Sequence, residues 1–292
     1  MIKKNILKIV YLIRAILYLP FRLIILIGNL YSSFLKIIDK RNHDTFWQEI
    51  MQKSINSNIS EKIKISENKH IKFYCPSKIA SFRIKTFFTK EPETIDWMNE
   101  YGSGNKILYD IGANMGIYTI YYAKKFDAKV YAFEPNFKNL DLLTKNIRLN
   151  LVEKQATIIP NPISDKFLIS NFFQLRPDAG EASATFNDKK IIEELLKKNI
   201  NNDSIEYRTL GLSLDNLIEL NLLERPDLIK IDVDGNELDI INGFKRTINK
   251  LKNISILIET QAKNSKENLE SELEKCGLKK IKQIRENSIW EK

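Results

Sequence analysis

Ile107-Leu-Tyr-Asp-Ile-Gly-Ala-Asn-Met-Gly116, followed by Val130-Tyr-Ala-Phe-Glu-Pro135, decides the fold. A short apolar run ends in Asp110, a glycine-bearing turn and a helical pattern follow, and a second apolar run ends in an acid. This is the layout of a strand–turn–helix–strand unit that holds a nucleoside-containing cofactor. Glu134 lies 18 residues beyond Gly116, where a carboxylate can accept hydrogen bonds from ribose hydroxyls. A dinucleotide fingerprint, G-x-G-x-x-G, counted from Gly112 requires glycine at 114 and 117, but the chain has Asn114 and Ile117. A side chain in mid-turn suits a small cofactor without phosphates better than a pyrophosphate. A Walker-type phosphate loop is absent. The two glycines could also serve a tight turn with no ligand, a reading that the acid ending the next strand weakens.

Outward from this unit, strand and helix patterns alternate, as in a parallel sheet with crossover helices. Strand candidates are 107–110, 129–134, 156–160, 168–173, 206–210, 227–233 and 254–259. Helix candidates are 116–126, 136–150, 189–199, 213–221, 236–250 and 264–275. His70–Tyr74 reads as a strand and Glu91–Glu100 as a helix leading into the core, while 42–69 reads as a short helix and linker. The tail 278–291 suits an antiparallel edge hairpin. Ligands bind beyond the carboxyl ends of such strands, and Asp110, Glu134, Ser164-Asp165, Asp232 and Glu259 all fall at or just past those ends.

Four pieces occur in order: Phe88-Thr-Lys-Glu-Pro-Glu-Thr-Ile95, Asp110-Ile-Gly-Ala-Asn-Met-Gly-Ile-Tyr-Thr119, Phe133-Glu-Pro135 and Lys230-Ile-Asp-Val-Asp-Gly-Asn-Glu237. Together they resemble the class I S-adenosylmethionine methyltransferases, and more narrowly the FkbM family, over roughly residues 70–292. The resemblance implies an α/β fold: a Rossmann-like, mostly parallel sheet with an antiparallel edge hairpin, here preceded by a helical N-terminal extension. It implies S-adenosylmethionine as cofactor. Asp110 would attract the ammonium and sulfonium charges, and Gly112 and Gly116 would let the backbone approach. Asn114 would bind the carboxylate tail and Glu134 the ribose. Ser164 and Asp165 belong to the loop expected along the adenine edge, and Glu93 and Thr94 to a segment expected to close over the cofactor. The last two pairs have plainer readings, as a turn and as a helix N-terminus.

The chemistry expected is in-line methyl displacement, in which positioning and exclusion of water dominate. With no histidine in any motif, a carboxylate must serve as general base if one is used; Asp232 is the first candidate and Glu259 the second. Asp234 and Glu237 suit capping of the following helix equally well. No decisive metal-ligand set is visible. Two cysteines, Cys75 and Cys276, and two histidines, His43 and His70, are scattered, which argues against a disulfide framework or a zinc site.

Of the net charge of +9, residues 1–41 hold eight basic residues against Asp39 alone, which leaves the other 251 residues nearly neutral. A nucleic-acid groove on the main domain is not indicated. Residues 1–41 alternate basic and aliphatic side chains at helical spacing, with Lys3, Lys4, Lys8, Arg14, Arg22, Lys36 and Lys40 within an arc of about 140°. The longest uncharged stretch, Leu23–Leu35, is shorter than the roughly 20 residues of a spanning helix. A cationic amphipathic segment suits a membrane interface; packing on the enzyme or a homodimer contact is one alternative and a true membrane span another. The organisation expected is therefore 1–41 interfacial helices, 42–100 linker and cap, and 101–292 methyltransferase domain, in a cytoplasmic protein peripheral on the inner face of the membrane. The acceptor expected is a hydroxyl of a sugar in a glycan or glycolipid. Other acceptors (a lipid, a protein or another small molecule) and a non-catalytic membrane-associated binding protein are the competing readings.

Overall fold

A computed structural model describes residues 18–20, 22–31, 33–34, 60–175, 180–188, 192–193, 196–197, 204–260 and 263–292. The chain divides into two units, Met1–Ile59 and Ser60–Lys292. In the first, the described residues between 18 and 34 are helical and leave Leu23, Ile24, Leu26, Ile27, Leu30 and Phe34 exposed. Among the described residues no helix is long and apolar enough to cross a membrane. The rest of the expected N-terminal helices, and most of the helix expected at 189–199, lie outside the described residues.

The second unit is built on a seven-stranded sheet. In chain order its strands are β3 (Leu108–Ile111), β4 (Val130–Phe133), β5 (Ala156–Ile159), β9 (Leu228–Ile231), β10 (Ser255–Glu259), β11 (Lys279–Ile284) and β12 (Asn287–Glu291). Their spatial order is β11-β12-β10-β9-β3-β4-β5. β5, β4, β3, β9 and β10 run parallel, and β12 pairs antiparallel with both β10 and β11. The expected edge hairpin is thus present. β3, β4 and β9 are buried at every residue, which is why they read as continuous apolar runs. Tyr109, Phe133, Ile229, Ile256, Phe244 and Trp290 form part of the core on one face, each worth about 1.5–3 kcal/mol of apolar burial. The chain crosses from one half of the sheet to the other between β3 and β9, so the crevice opens at their carboxyl ends.

Smaller elements surround this sheet. β1 (Ser60–Lys64) pairs antiparallel with β2 (His70–Tyr74). This corrects the linker reading of those residues: a strand with only Ile63 buried looks polar in sequence. An unexpected helix, α1 (Lys78–Lys85), starts at Ser77, whose hydroxyl accepts from Ala80 N. α2 is Pro92–Tyr101, α3 Ile117–Phe126 and α4 Phe137–Asn150. β6 (Leu168–Gln174) lies between β7 (Ala184–Phe186) and β8 (Ile205–Gly211) in a separate antiparallel sheet; the three-residue β7 was too short to read. α5 (Leu214–Glu219) precedes β9. The single helix expected over 236–250 is two, α6 (Glu237–Asn242) and α7 (Lys245–Lys250). It breaks at Gly243, where a Cβ would stand 2.1 Å from the carbonyl oxygen of Ser164. α8 (Lys263–Lys275) leads to the hairpin.

Candidate functional site

The turn after β3 bends through Gly112 (φ 81°), Asn114 (φ 52°) and Gly116 (φ 85°). A Cβ on Gly112 would lie 1.9 Å from Asp232 O, so glycine is required where the ends of β3 and β9 meet. A Cβ on Gly116 would press Leu143 Cδ1 at 2.4 Å, so this glycine admits the packing of α4 against the start of α3.

Glu134, at the end of β4, faces this turn. Its Oε2 accepts from Asn114 N at 2.7 Å and its Oε1 from Asn136 N at 2.8 Å. Burial pushes its carboxyl up to about 7, against the pull of those two backbone N–H groups. Each oxygen retains a lone pair for a further donor. Asn136 Oδ1 caps α4 by accepting from Lys138 N and Asn139 N, while its buried Nδ2 has no partner among the described residues.

A cleft opens over this turn, lined by Gly112, Asn114, Glu134, Asn136, Asn161, Pro162 and Ile163. Asp232, Asp234, Glu259, Arg83 and Lys90 line it as well. One wall is the strap Gly180–Phe186, held by side chains from several elements. Asn139 Oδ1 accepts from Gly180 N, and the Asn139 and Asn114 amides both donate to Glu181 O. Asp234 Oδ2 accepts from Ser183 N and Ala184 N. Asn236 Oδ1 accepts from Thr185 Oγ1 and Phe186 N, and its Nδ2 donates to Phe186 O.

At the acidic end, Lys230 is buried and its Nζ lies 2.9 Å from Asp232 Oδ2 and 3.7 Å from Asp110 Oδ1. Burial alone would raise the Asp232 carboxyl, but the Lys230 ammonium outweighs it and holds Asp232 ionised. Burial and the Asp232 charge beside it hold the Glu259 carboxyl well above the usual range. Glu91, Asp232 and Glu259 bring carboxylate oxygens within 4.8 Å of one another. Protein cations already meet two of the three, since Lys90 bonds Glu91 and Lys230 bonds Asp232.

The structure brings Gly112, Asn114, Glu134, Asp232 and Glu259 to one cleft. It does not bring the other expected residues to that wall. Asp110 is fully buried beneath the turn, where Oδ2 accepts from Thr119 Oγ1 at 2.6 Å and burial raises its carboxyl against the pull of Lys230. Gly116 serves helix packing. Glu93 Oε1 accepts from Asn287 Nδ2, tying α2 to the edge hairpin, and Thr94 is buried in α2. Ser164 is buried and bonds Asp165, while the wall is formed by Asn161, Pro162 and Ile163, just upstream. Asn114 spends its amide on the strap. The sequence reading missed Arg83, which no motif marks, and it missed the strap tethers Asp234 and Asn236, although both sit inside a quoted motif.

Residues 110–280 match the methyltransferase FkbM domain. The hexuronic acid methyltransferase AglP of Haloferax volcanii is 27% identical over 168 residues, 58% of this chain and 61% of that protein. The chain therefore spans about three fifths of that relative's length. Methyltransferase sdnD of Sordaria araneosa is 28% identical over 202 residues, 62% of this chain and 75% of that protein. Among solved structures, precorrin-6y C5,15-methyltransferase from Geobacter metallireducens aligns at 15% identity and a TM-score of 0.40, covering 70% of this chain and 87% of that one. M. jannaschii TYW2 in complex with AdoMet aligns at 16% identity and a TM-score of 0.38, covering 80% and 84%.

Proposed function

The chain belongs to the FkbM methyltransferase domain family, whose methyl donor is S-adenosylmethionine, and from that membership we propose that it methylates a hydroxyl of a sugar in a glycan or glycolipid. One observation carries the reading of the cleft. Glu134 is buried at the carboxyl end of β4, 2.7 Å from the backbone N–H of Asn114 in the glycine turn. The residues fit the donor: Glu134 keeps lone pairs for ribose hydroxyls, Asn136 offers a buried, unpartnered amide N–H, and Gly112 leaves the backbone bare. The bound donor supplies a methyl group on a sulfonium centre.

The protein positions the reactants and handles one proton. Asp232, kept ionised by Lys230, would offer a carboxylate in the cleft to a cationic donor. That same ion pair makes it a weak base. Glu259, with its raised proton affinity, is the better acceptor for the hydroxyl proton. A cation bound beside it would favour its ionised form. The strap shields the reacting centre from water. The sugar acceptor draws support from the hexuronic acid named for AglP.

Isothermal titration of the full chain with S-adenosylmethionine tests the cofactor. Glu134→Ala should weaken binding at least about tenfold, the loss of hydrogen bonds to a charged group. A wild-type chain that takes up no donor would remove the proposal. Comparing the mass spectra of cellular glycans with and without the protein tests the acceptor, through loss of a single-methyl increment.

We propose further that residues 1–41 hold the enzyme on the inner face of the membrane. Their excess of cations and the exposed side chains of Leu23, Leu26, Leu30 and Phe34 support this. Sedimentation with anionic vesicles, weakened by salt, is expected; no association with them would favour packing on the enzyme or a homodimer.

A further inference from the structure

The acids of the cleft outnumber its cations, and one cation is uncommitted. Glu134, Asp232, Asp234 and Glu259 line the main cleft, with Glu91 in the smaller cavity beside it. Arg83 and Lys90 line both cavities. Lys90 is exposed and bonded to Glu91. Arg83 differs: it projects from α1, is half-buried, and donates from Nε to Gly180 O at 2.7 Å. That bond anchors the plane of the guanidinium through its inner nitrogen. Its terminal nitrogens have no partner among the described residues. Its charge helps to hold Asp232 and Asp234 ionised, yet it forms no ion pair with either.

A guanidinium fixed at Nε and open at Nη1 and Nη2 presents two N–H groups in the fork that matches a carboxylate. Resting on the reading of this cleft as a donor site, we propose that Arg83 is its carboxylate-binding residue, gripping a reactant's carboxylate through Nη1 and Nη2. Two reactants could bring that group: the donor through its amino acid end, or a uronic acid acceptor. Charge matching is consistent with the donor, which carries two cations, a sulfonium and an ammonium, and one carboxylate. The acids answer the cations, and Arg83 answers the anion.

The test titrates full-length wild type, Arg83→Gln and Arg83→Lys with two pairs of probes. The first pair is S-adenosylmethionine and its decarboxylated form. The second, with enzyme saturated in S-adenosylhomocysteine, is methyl glucuronide and methyl glucoside. Wild type should prefer the carboxylated member of at least one pair by about 10–100-fold, the worth of a charge-assisted bidentate contact. Arg83→Gln should erase that preference, and Arg83→Lys, a point charge without the fork, should keep part of it. Which pair responds identifies the source of the carboxylate. Arg83→Gln that retains the wild-type preferences, or that weakens both members of a pair equally through loss of the Gly180 contact, overturns the proposal, as does a wild type without preference. Wild type that binds neither form of the donor instead removes the underlying function.

Discussion

Lys230 holds its buried ammonium 2.9 Å from Asp232 Oδ2, so an acid on the cleft wall is balanced from inside the sheet. The same ammonium lies 3.7 Å from Asp110 Oδ1, an oxygen with no hydrogen-bond donor of its own. One lysine therefore neutralises two acids, one in the core and one at the site.

Replacing it should be costly. Lys230→Met leaves two acids without their cation, and loss of about 3–5 kcal/mol is expected, the usual cost of breaking a buried pair from one side. Adding Asp110→Asn should recover part of the loss, because the deepest charge is then gone. Urea unfolding of the single and double variants measures both. An unchanged midpoint in Lys230→Met would contradict this account.

Glu134 makes the protein's stability depend on pH. Its folded pKa, about 7, lies above the ordinary 4.5. The folded chain thus binds the proton more tightly than the unfolded chain does. This contribution is full below about pH 4.5 and is lost as pH rises through about 7, some 3 kcal/mol at most. Donor binding runs the other way: the ribose hydroxyls need an ionised acceptor, so affinity should rise with pH to about 7 and then level. Glu134→Gln should flatten both curves, as thermal melts and titrations at several pH values would show.

The two turn glycines should differ in tolerance. Gly112→Ala drives a methyl into the Asp232 carbonyl oxygen, a backbone atom that cannot step aside, and no folded protein is expected. Gly116→Ala meets the end of a leucine side chain, so it should fold with a loss of about 2–4 kcal/mol from a left-handed alanine and a displaced Leu143. Soluble yield and denaturant midpoints separate the two cases.

The strap should loosen when its tethers are cut. Asp234→Ala removes the acceptor for Ser183 N and Ala184 N, and Asn236→Ala removes three contacts to β7. Each should cost about 1–3 kcal/mol and should speed hydrogen exchange at residues 183–186 more than in β3 or β9. Uniform exchange across the sheet would mean that the strap is not a separate unit.

The central sheet was legible because buried parallel strands write themselves as apolar runs closed by turn residues. The presence of β3, β4, β9 and β10 and of the edge hairpin was therefore legible, whereas 168–173 and 206–210, read into the same alternation, pair instead in a separate antiparallel sheet. Depth was harder to read. Asp110 and Asp232 both close a strand, yet the first is wholly buried beside Thr119 and the second faces the cleft; a position at a strand end does not say which way the side chain turns. The strap and Arg83 were invisible for a different reason. Each acts through partners about 40 to 100 residues away, and nothing local in G-E-A-S-A-T-F or in the last turn of a short helix marks a tether or a guanidinium fork. Gly243 likewise breaks a helix because a distant backbone crosses it.

The contact between Gly112 and the carbonyl of Asp232 leaves no room for even one methyl group. The floor that would carry the donor and the strand that carries the acid are consequently welded into one rigid block. Backbone therefore sets that spacing, whereas the strap is attached to the block through side-chain hydrogen bonds from Asp234 and Asn236.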